Sequence, residues 1–351
     1  MRPMSRGGQT RRIRAGRHGY AAPSVQVLVT GGHGFIGTHL VLRLLEEGAQ
    51  VRCLHRRAGC PPSLAGLDVE IVRGDVRSAA GLKEALRGVE QVYHLAGLTS
   101  ALSRRLLYET NALGTLRLLS AAEAAGLSGR FLLCSSLAAV GPSRPGVALE
   151  EAAPRRPLTW YGESKCAAED FARDWADRVP ITILRPPGVY GPRDAEFLTL
   201  FQAAARGWAL VPGSPEKRYS LIHAADLARA FLAAGSQPAT LGRTYFAAHS
   251  EVTSLAEIVD AAEHAVGRSA RRVPLPESFL ALFGQVGDLV SQWTGRSSVL
   301  GAQRMLEVAT GDWVCSSAAL ERDAGWRAGT DLREGFRQTV DWYRAEGLVP
   351  T

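Results

Sequence analysis

The stretch Thr30-Gly31-Gly32-His33-Gly34-Phe35-Ile36-Gly37 decides the fold of this chain. It follows a β-branched run at residues 25–29 and opens an amphipathic segment at 37–47, so its glycines lie between a predicted strand and a predicted helix. Glycines permit a tight turn and close backbone approach, and a helix N-terminus presents unpaired N–H groups to a pyrophosphate. The stretch therefore predicts a dinucleotide site, with a plain glycine turn as the alternative.

The pattern of short apolar runs and amphipathic segments continues along the chain. Further predicted strands lie at 51–54, 69–72, 91–95, 131–134 and 181–184, and predicted helices at 81–86, 110–125 and 163–178. Strands that alternate with helices form βαβ units, and these build a parallel sheet with helices on both faces. The prediction is an α/β chain with a doubly wound parallel sheet, the Rossmann fold, and a smaller, mostly helical C-terminal substrate lobe.

The domain boundaries follow from where this alternation stops. After Arg185 several prolines interrupt the pattern, and helical segments dominate from Thr253 onward. Residues 219–234 and 243–247 are predicted to return to the sheet. We expect a disordered basic tail at 1–24, a dinucleotide-binding domain at 25–185 with 219–248, and a substrate-binding lobe at 186–218 with 249–351.

Composition and charge exclude several classes of protein. The 351 residues are 46% hydrophobic and 21% charged, which is typical of a globular protein. The first 24 residues hold six arginines and no acid; subtracting six from the net charge of +7 leaves about +1 for the rest of the chain, so no nucleic-acid partner is predicted. The tail has no apolar core, and the five cysteines are scattered, which predicts a cytoplasmic protein without disulfides or a metal site.

The end of the second predicted strand bears on the choice of cofactor. Dinucleotide folds usually carry an acid there, which holds the ribose 2′-hydroxyl. This chain instead reads Val51-Arg52-Cys53-Leu54-His55-Arg56-Arg57, without a carboxylate. A guanidinium can hold a 2′-phosphate that a carboxylate would repel, so NADP(H) is favoured, with NAD(H) as the alternative. Arg56 and Arg57 can also be read as solvated loop charges.

Tyr161-Gly162-Glu163-Ser164-Lys165 is the stretch that points most directly to chemistry. The chain has 8 tyrosines and 3 lysines, so a chance Tyr-x-x-x-Lys is uncommon. A lysine one helical turn from a phenol favours the phenolate, and we expect it to lower the pKa of Tyr161 towards working pH. Ser135 and Ser136 end a predicted strand, where a hydroxyl can hold a substrate carbonyl beside the tyrosine.

At this point the chain resembles the extended short-chain dehydrogenases/reductases, the epimerase/dehydratase superfamily. Besides the glycine loop and the Tyr161/Lys165 pair, the stretches that carry the resemblance are Gly74-Asp75-Val76, His94-Leu95-Ala96-Gly97, Asn111-Ala112-Leu113-Gly114-Thr115, Ser135-Ser136, Leu184-Arg185-Pro186-Pro187-Gly188-Val189-Tyr190-Gly191-Pro192 and Leu221-Ile222-His223-Ala224-Ala225-Asp226. In such enzymes the working serine lies five residues before a glycine. That rule implies Ser136, five before Gly141, rather than Ser135.

The resemblance also implies roles for other residues. Asp75 is expected to meet the adenine, and Asn111 is expected to start a helix under the site and assist a proton relay. Catalysis is assigned to Ser136, Tyr161, Lys165 and Asn111. Together with the loop and the arginine, the predicted cofactor site consists of Gly31, Gly34, Phe35, Ile36, Gly37, Arg56, Asp75, Val76, Leu95, Ala96, Gly97, Tyr161, Lys165, Pro186 and Val189.

One departure from the superfamily helps to choose among its branches. Nucleotide-sugar members usually carry a diphosphate-binding arginine four residues before the histidine of the Ile222-His223 segment. That position is Tyr219 here, and Arg218 is one residue out of register, which in a strand points to the opposite face. The stretches 51–56, 135–142 and 274–293 are instead similar to the 3β-hydroxysteroid dehydrogenase and dihydroflavonol-reductase branch.

The resulting functional prediction is an NAD(P)-dependent oxidoreductase. A hydride passes between nicotinamide C4 and an alcohol or ketone of a fairly apolar small molecule, Tyr161 exchanges the proton, and Ser136 orients the oxygen. The alternatives are a nucleotide-sugar epimerase or dehydratase and, as a further one, a non-catalytic NADP-sensing protein. The apolar segment at 279–290 is interpreted as a cover over the substrate pocket, so we do not expect membrane contact. The sequence leaves the oligomeric state open, a homodimer included.

Overall fold

The computed structural model describes residues 25–276, Gly284 and residues 301–350. The predictions for the tail at 1–24 and for the cover at 279–290 fall, Gly284 aside, outside the described residues. Within the described residues, no helix is long and apolar enough to span a membrane.

A seven-stranded sheet, parallel throughout, forms the centre of the molecule. The strands of this sheet and of two smaller sheets, in chain order, are β1 (Gln26–Thr30), β2 (Gln50–His55), β3 (Val69–Arg73), β4 (Gln91–His94), β5 (Phe131–Cys134), β6 (Ile181–Arg185), β7 (Gly188–Tyr190), β8 (Trp208–Pro212), β9 (Arg218–His223), β10 (Thr244–Phe246), β11 (Val252–Ser254) and β12 (Arg271–Leu275). The order in the large sheet is β10-β6-β5-β4-β1-β2-β3. The order reverses between β1 and β4, which is where doubly wound folds bind a dinucleotide.

Helices cover both faces of this sheet, so the predicted Rossmann fold is confirmed. The described α-helices are α1 (Phe35–Glu46), α2 (Leu82–Ala85), α3 (Arg104–Leu107), α4 (Leu113–Ala124), α5 (Trp160–Asp174), α6 (Leu198–Ala205), α7 (Ala224–Ser236), α8 (Leu255–Val266), α9 (Ala302–Ala309), α10 (Ala318–Ala324) and α11 (Leu332–Ala345). A π-turn spans Tyr108–Ala112, and 3-10 turns span Pro62–Leu64, Leu137–Ala139 and Pro238–Thr240.

The alternation of side chains along β1 shows how the two layers are built. Val27 and Val29 are buried in the cluster with α1 and α7, whereas Leu28 is buried in the cluster with α4 and α5. Successive strand residues point to opposite faces, so a strand covered on both sides must be apolar throughout. A third cluster, around Phe336 of α11, lies outside these two layers and joins α11 to α6 and α8.

The segment 219–234 departs from the prediction that it returns to the large sheet. Strand β9 lies instead in a three-stranded sheet with β7 and β11, and β8 pairs with β12. Only the helix that follows, α7, packs on the large sheet, against α1. For residues 243–247 the prediction is right, because β10 pairs with β6. The proposed division into two lobes stays a prediction.

Two helix boundaries also differ from the sequence pattern. Helix α5 begins at Trp160 rather than at 163, because the hydroxyl of Thr159 caps it by accepting from the Gly162 N–H at 3.1 Å. Asn111 was predicted to start a helix, but it lies within the π-turn between α3 and α4. Tyr161 stands in the first turn of α5.

A histidine pair lies where α1 and α7 meet. His39 Nε2 is 2.8 Å from the Pro192 carbonyl oxygen, and the ring of His223 stacks edge-on against that of Tyr190 with centroids 5.5 Å apart. His223 is 3% exposed, and among the described residues neither of its ring nitrogens has a hydrogen-bond partner. Burial, with a smaller effect from His39, lowers the pKa of His223 to about 4.

This lowered pKa predicts a pH-dependent stability. Because the unfolded chain protonates His223 near pH 6.5 and the folded chain only near pH 4, stability is greatest above pH 6.5 and falls as the pH drops towards 4. Between pH 7 and pH 5 we expect a loss of about 1–2 kcal/mol from this residue. Urea denaturation of the wild type and of His223→Gln at pH 7 and pH 5 should show that the free energy of unfolding falls less in the variant.

The control is His264→Gln, since His264 is exposed on α8. It should keep the pH dependence of the wild type. An equal slope in His223→Gln and in the wild type would show that His223 does not cause the effect.

Candidate active site

The glycine loop between β1 and α1 has no room for side chains at two positions. Gly31 has φ +74°, and a Cβ there would lie 2.7 Å from the Ala96 nitrogen. A Cβ at Gly37 would lie 2.1 Å from the Gly31 carbonyl oxygen. The loop therefore packs directly on the start of α1, and Gly34, Phe35 and Ile36 bring the N-terminus of that helix to the end of β1. This is the anion-binding geometry that the sequence predicted.

A buried polar chain that sequence reasoning missed supports this loop. Thr30 Oγ1 lies 2.6 Å from His94 Nδ1, and His94 Nε2 lies 2.9 Å from Thr115 Oγ1. Thr30 Oγ1 also accepts from the Ala96 N–H at 3.2 Å. Burial lowers the pKa of His94 to about 3, so the imidazole is neutral and can donate on one side and accept on the other. These hydrogen bonds fix Ala96 next to the glycine loop.

The ends of β2 and β3 carry the residues predicted to meet the adenosine. Arg56 is exposed directly after β2, and its charge contributes to lowering the pKa of His33 in the glycine loop, an effect that burial dominates. The Asp75 carboxylate pairs with Arg77 at 2.7 Å, and that hydrogen bond holds the pKa of Asp75 below its usual value. Val76 is buried in the core against Gly114, so its side chain packs and does not face a ligand.

The loop after β4 passes beside the predicted catalytic lysine. A Cβ at Gly97 would lie 3.0 Å from Asn111 Oδ1 and 3.3 Å from Lys165 Nζ. Asn111 holds this loop from the π-turn, since its Oδ1 accepts from the Leu98 N–H at 2.8 Å and its Nδ2 donates to the Leu98 carbonyl at 2.9 Å. The extra residue of a π-turn redirects one side chain, which explains why Asn111 lies within the turn instead of starting a helix.

The two serines after β5 have different partners. Ser135 is 2% exposed and its hydroxyl donates to Glu169 Oε1 at 2.5 Å. Ser136 instead caps the following 3-10 turn, accepting from the Ala138 N–H at 3.1 Å, and its hydroxyl is near enough to Tyr161 to favour a lower pKa of that phenol. The structure thus brings Ser136, and not Ser135, to the phenol.

Lys165 lies close to Tyr161 but does not produce the expected change in its pKa. The Lys165 ammonium is 6.0 Å from the centroid of the Tyr161 ring, and it donates to the Cys134 carbonyl at 2.7 Å. Burial raises the pKa of Tyr161 above its usual value, and the neighbouring Ser136 hydroxyl opposes that rise. The predicted lowering is therefore not found among the groups of the chain itself, because desolvation of the phenolate outweighs the favourable contacts.

Helix α5 is joined to the sheet by a buried ion pair that sequence reasoning also missed. Glu169 and Arg185 are 0% and 1% exposed, and the guanidinium contacts both carboxylate oxygens, with Nε to Oε1 at 2.8 Å and Nη2 to Oε2 at 2.7 Å. Arg173 adds a contact at 2.9 Å. Burial alone would raise the pKa of Glu169, but the guanidinium of Arg185 lowers it overall. The signal in the sequence was an arginine that ends an otherwise apolar strand.

The remaining predicted cofactor residues follow β4 and β6. Leu95 and Ala96 are half-buried at the end of β4, beside the glycine loop. The Pro186 carbonyl accepts from the Leu137 N–H at 2.9 Å, which keeps it next to the serine turn. Val189 lies in β7, is half-buried and pairs with Ile222 of β9. All these residues border the crevice at the carboxyl ends of the central strands.

The arrangement fits a nicotinamide dinucleotide better than a metal. Gly31 and Gly37 leave no room for a Cβ where the loop meets Ala96 and the start of α1, and a hydroxyl, a phenol and an ammonium come together at Ser136, Tyr161 and Lys165. No group of three metal-ligating side chains occurs among the described residues. Such a crevice can hold a pyrophosphate on backbone N–H groups and can exchange a proton with a substrate oxygen.

Comparison with known proteins agrees with this geometry. The NAD dependent epimerase/dehydratase family matches residues 27–247. The chain belongs to that family. Its members are extended short-chain dehydrogenases/reductases, so the chain is an NAD(P)-dependent enzyme of this superfamily.

The relatives include reductases, dehydrogenases and epimerases. The chain is 36% identical to a ceramide reductase of Caulobacter vibrioides, over 92% of this chain and 96% of the relative. It is 30% identical to a 3 beta-hydroxysteroid dehydrogenase/Delta 5-->4-isomerase of Mycobacterium tuberculosis, over 69% and 70%. The crystal structure of the UDP-glucose 4-epimerase of Thermus thermophilus, in complex with NAD, is similar with TM-score 0.74 and 26% identity, covering 91% of this chain and 99% of that one.

The buried ion pair predicts an asymmetry between single and double substitutions. Glu169→Gln leaves the Arg185 charge buried without compensation and should lower the free energy of unfolding by about 3–5 kcal/mol. Arg185→Met in turn leaves the buried Glu169 carboxylate without its main partner and should be similarly destabilising. The double variant Glu169→Gln/Arg185→Met removes both charges and should lose less than either single variant. Urea denaturation measures all three.

The control for this cycle is the exposed pair Arg327 and Glu321. The corresponding substitutions there should change stability little, because water already solvates both charges. Additive losses at Glu169 and Arg185 would contradict the idea that the two charges depend on each other.

Proposed function

We propose that the chain is an NAD(P)-dependent oxidoreductase that interconverts an alcohol and a ketone on an apolar molecule of the ceramide or steroid kind. The observation that carries the proposal is the half-buried Tyr161 phenol, which has the Ser136 hydroxyl at the end of β5 as a neighbour and the Lys165 ammonium 6.0 Å from the centroid of its ring. A phenol and a hydroxyl that converge on one point can hold a single substrate oxygen between them.

Each residue then has a separate task. A nicotinamide bound along the glycine loop supplies or accepts the hydride. Tyr161 gives its proton to the carbonyl oxygen during reduction and takes it from the hydroxyl during oxidation. The Ser136 hydroxyl orients that oxygen and donates to it as negative charge develops. Lys165, held by the Cys134 carbonyl, keeps a positive charge beside the phenolate and has further N–H donors for a ribose hydroxyl.

Two observations support an apolar substrate over a sugar nucleotide. In β9, Tyr219 occupies the position of the diphosphate-binding arginine, and Arg218 is exposed on the alternate side of the strand. The relatives with the names ceramide reductase and 3 beta-hydroxysteroid dehydrogenase point the same way. The similarity to UDP-glucose 4-epimerase supports epimerisation as the second candidate, since the same three residues would begin that reaction. A sensor without turnover would have no need of Tyr161 and Lys165.

For the cofactor we propose a preference for NADP(H). Arg56 and Arg57 are exposed after β2, no acid ends that strand, and the nearby Asp75 is already paired with Arg77. A 2′-phosphate would therefore meet positive charge. The expectations of a cytoplasmic location and of a homodimer stay predictions.

The substrate and mechanism are tested together. Ceramide, a 3β-hydroxysteroid, a dihydroflavonol and UDP-glucose are offered with NADP⁺ or NAD⁺, and the reverse reaction with a keto-ceramide or a 3-ketosteroid, while reduced nicotinamide is followed by absorbance. Net oxidation or reduction of an apolar compound supports the proposal. Conversion of UDP-glucose to an epimer without net change of the cofactor supports the alternative.

Tyr161→Phe keeps the ring and removes only the hydroxyl, so kcat should fall by about 10²–10⁴-fold while the Kd of the cofactor barely changes. Lys165→Met should lower kcat and also weaken cofactor binding, because Lys165 is assigned to both tasks. Ser135→Ala is a matched control for Ser136→Ala: the first should mainly lower stability, and the second mainly kcat. Turnover of Tyr161→Phe near that of the wild type would overturn the mechanism.

The cofactor preference is tested by fluorescence titration with NADPH and NADH. The double variant Arg56→Ala/Arg57→Ala should bind NADPH about 10–100-fold more weakly, through loss of charge-assisted contacts, with little change for NADH. The control is Arg87→Ala/Arg105→Ala, which removes two exposed arginines elsewhere. Tighter binding of NADH than of NADPH by the wild type would contradict the proposed preference.

A further inference from the structure

Helix α9 docks on the first turn of the helix that carries Tyr161. The N-terminal N–H groups of a helix have no partner within it. Here the Trp160 N–H donates to Gln303 Oε1 at 2.9 Å, and the Thr159 hydroxyl donates to Glu307 Oε1 at 3.1 Å. Since Thr159 itself caps α5, the two contacts join α9 to the residues directly before Tyr161.

The end of α9 is fixed as well. Trp313 Nε1 donates to the Glu307 carbonyl at 2.9 Å, and Lys217 Nζ donates to the Thr310 carbonyl at 3.1 Å. Contacts at both ends hold the helix in one position relative to α5. The side chain of Glu307 is 16% exposed, so its carboxylate is largely enclosed.

Arg304 links two carboxylates on this side of the site. It contacts Glu307 at 3.1 Å and Glu196 at 2.9 Å, and the latter comes from the loop between β7 and α6. Glu196 and Glu307 each raise the pKa of Tyr161, an effect smaller than that of burial. The other groups that influence the pKa of the phenol are Ser136 and Cys134 from the region of β5. The Lys165 ammonium, from α5 itself, lies 6.0 Å from the centroid of the phenol ring.

We propose that the Glu196–Arg304–Glu307 cluster sets the charge environment of Tyr161, with α9 as the element that holds the cluster in place. The inference rests on the proposed function, because it assigns these three residues to the control of a catalytic phenol. They are positioning residues, since they are proposed to act through Tyr161 and not by contact with the substrate. Arg304 pairs with both carboxylates and so offsets part of the negative charge that disfavours the phenolate.

The cluster has a consequence that a purely structural role would not have. Neutralising a carboxylate should favour the phenolate, and neutralising the arginine should disfavour it. Glu196→Gln and Arg304→Gln should therefore act in opposite directions. For an alcohol oxidised at a pH below the pKa of Tyr161, each change should alter kcat by about 2–10-fold, upwards in the first variant and downwards in the second, which corresponds to a shift of about 0.3–1 pH unit.

The experiment has one measurement that does not depend on turnover. The Cζ resonance of Tyr161 is followed from pH 7 to pH 11 by ¹³C NMR of the full chain labelled in tyrosine and is assigned with Tyr161→Phe. The onset of titration should move to lower pH in Glu196→Gln and to higher pH in Arg304→Gln. Steady-state kcat and KM are then measured over the same range with the alcohol that the substrate panel identifies.

The matched controls are Glu334→Gln and Arg337→Gln. These residues also form a partly exposed ion pair on a helix, at 2.6 Å, but on α11. Both controls should leave the resonance of Tyr161 and the pH profile unchanged. Melting temperatures of all four variants separate a loss of folded protein from a change at the phenol.

The outcomes distinguish this inference from the proposed function. Opposite shifts in the two cluster variants, absent from the controls, support it. Shifts of the same sign, or none, overturn it even if Tyr161→Phe abolishes turnover. If Tyr161→Phe stays active while the NMR shifts are opposite, the cluster still controls the phenol, but the proposed catalytic role of that phenol is wrong.

Discussion

The contact between Glu169 and Arg185 is the constraint on which the geometry of the site depends. Glu169 lies on α5, two helical turns after Tyr161, and Arg185 ends β6, so their paired hydrogen bonds fix the helix against the carboxyl ends of the strands. Ser135 donates to the same carboxylate and adds β5 to the junction. A buried ion pair is not strong evidence of stability, but misalignment leaves charges unpaired in the core. The pair therefore favours one position of Tyr161 relative to Ser136.

The cofactor side of the crevice depends on the backbone in the same way. Gly31 and Gly37 allow the loop after β1 to contact both α1 and Ala96, and the polar chain through His94 keeps these segments in register. A side chain at either glycine would separate the loop from its neighbours. Because the loop and the serine turn both follow central strands of one parallel sheet, the phosphate-binding and proton-exchanging groups come to the same edge.

Local motifs could be predicted from the sequence, whereas contacts between distant segments could not. The glycine loop and the pairing of Tyr161 with Lys165 depend on spacings within one turn or one helix, and periodicity predicted the large sheet. Glu169 and Arg185 gave no such signal, since which carboxylate meets a buried arginine depends on how α5 packs. Strand β9 ends in a buried run like the strands of the large sheet, but its pairing with β7 and β11 places it in a separate sheet. How far Tyr161 is buried likewise depends on tertiary packing. The sequence therefore predicted a lowered pKa for Tyr161, whereas burial raises it.

The two sides of the site therefore differ in what they determine. The sheet and the glycine loop, with the proposed roles of Ser136, Tyr161 and Lys165, would serve a reductase, a dehydrogenase or an epimerase alike, so they do not distinguish the substrates. The opposite side comes from β9, the loop before α6, and α9, where Tyr219, Glu196 and Glu307 lie. Desolvation makes the phenolate costly, so the charges that we propose to act on it would alter the proton transfer. The acidity of the phenol would therefore restrict which charged residues this side can carry, whatever substrate it admits.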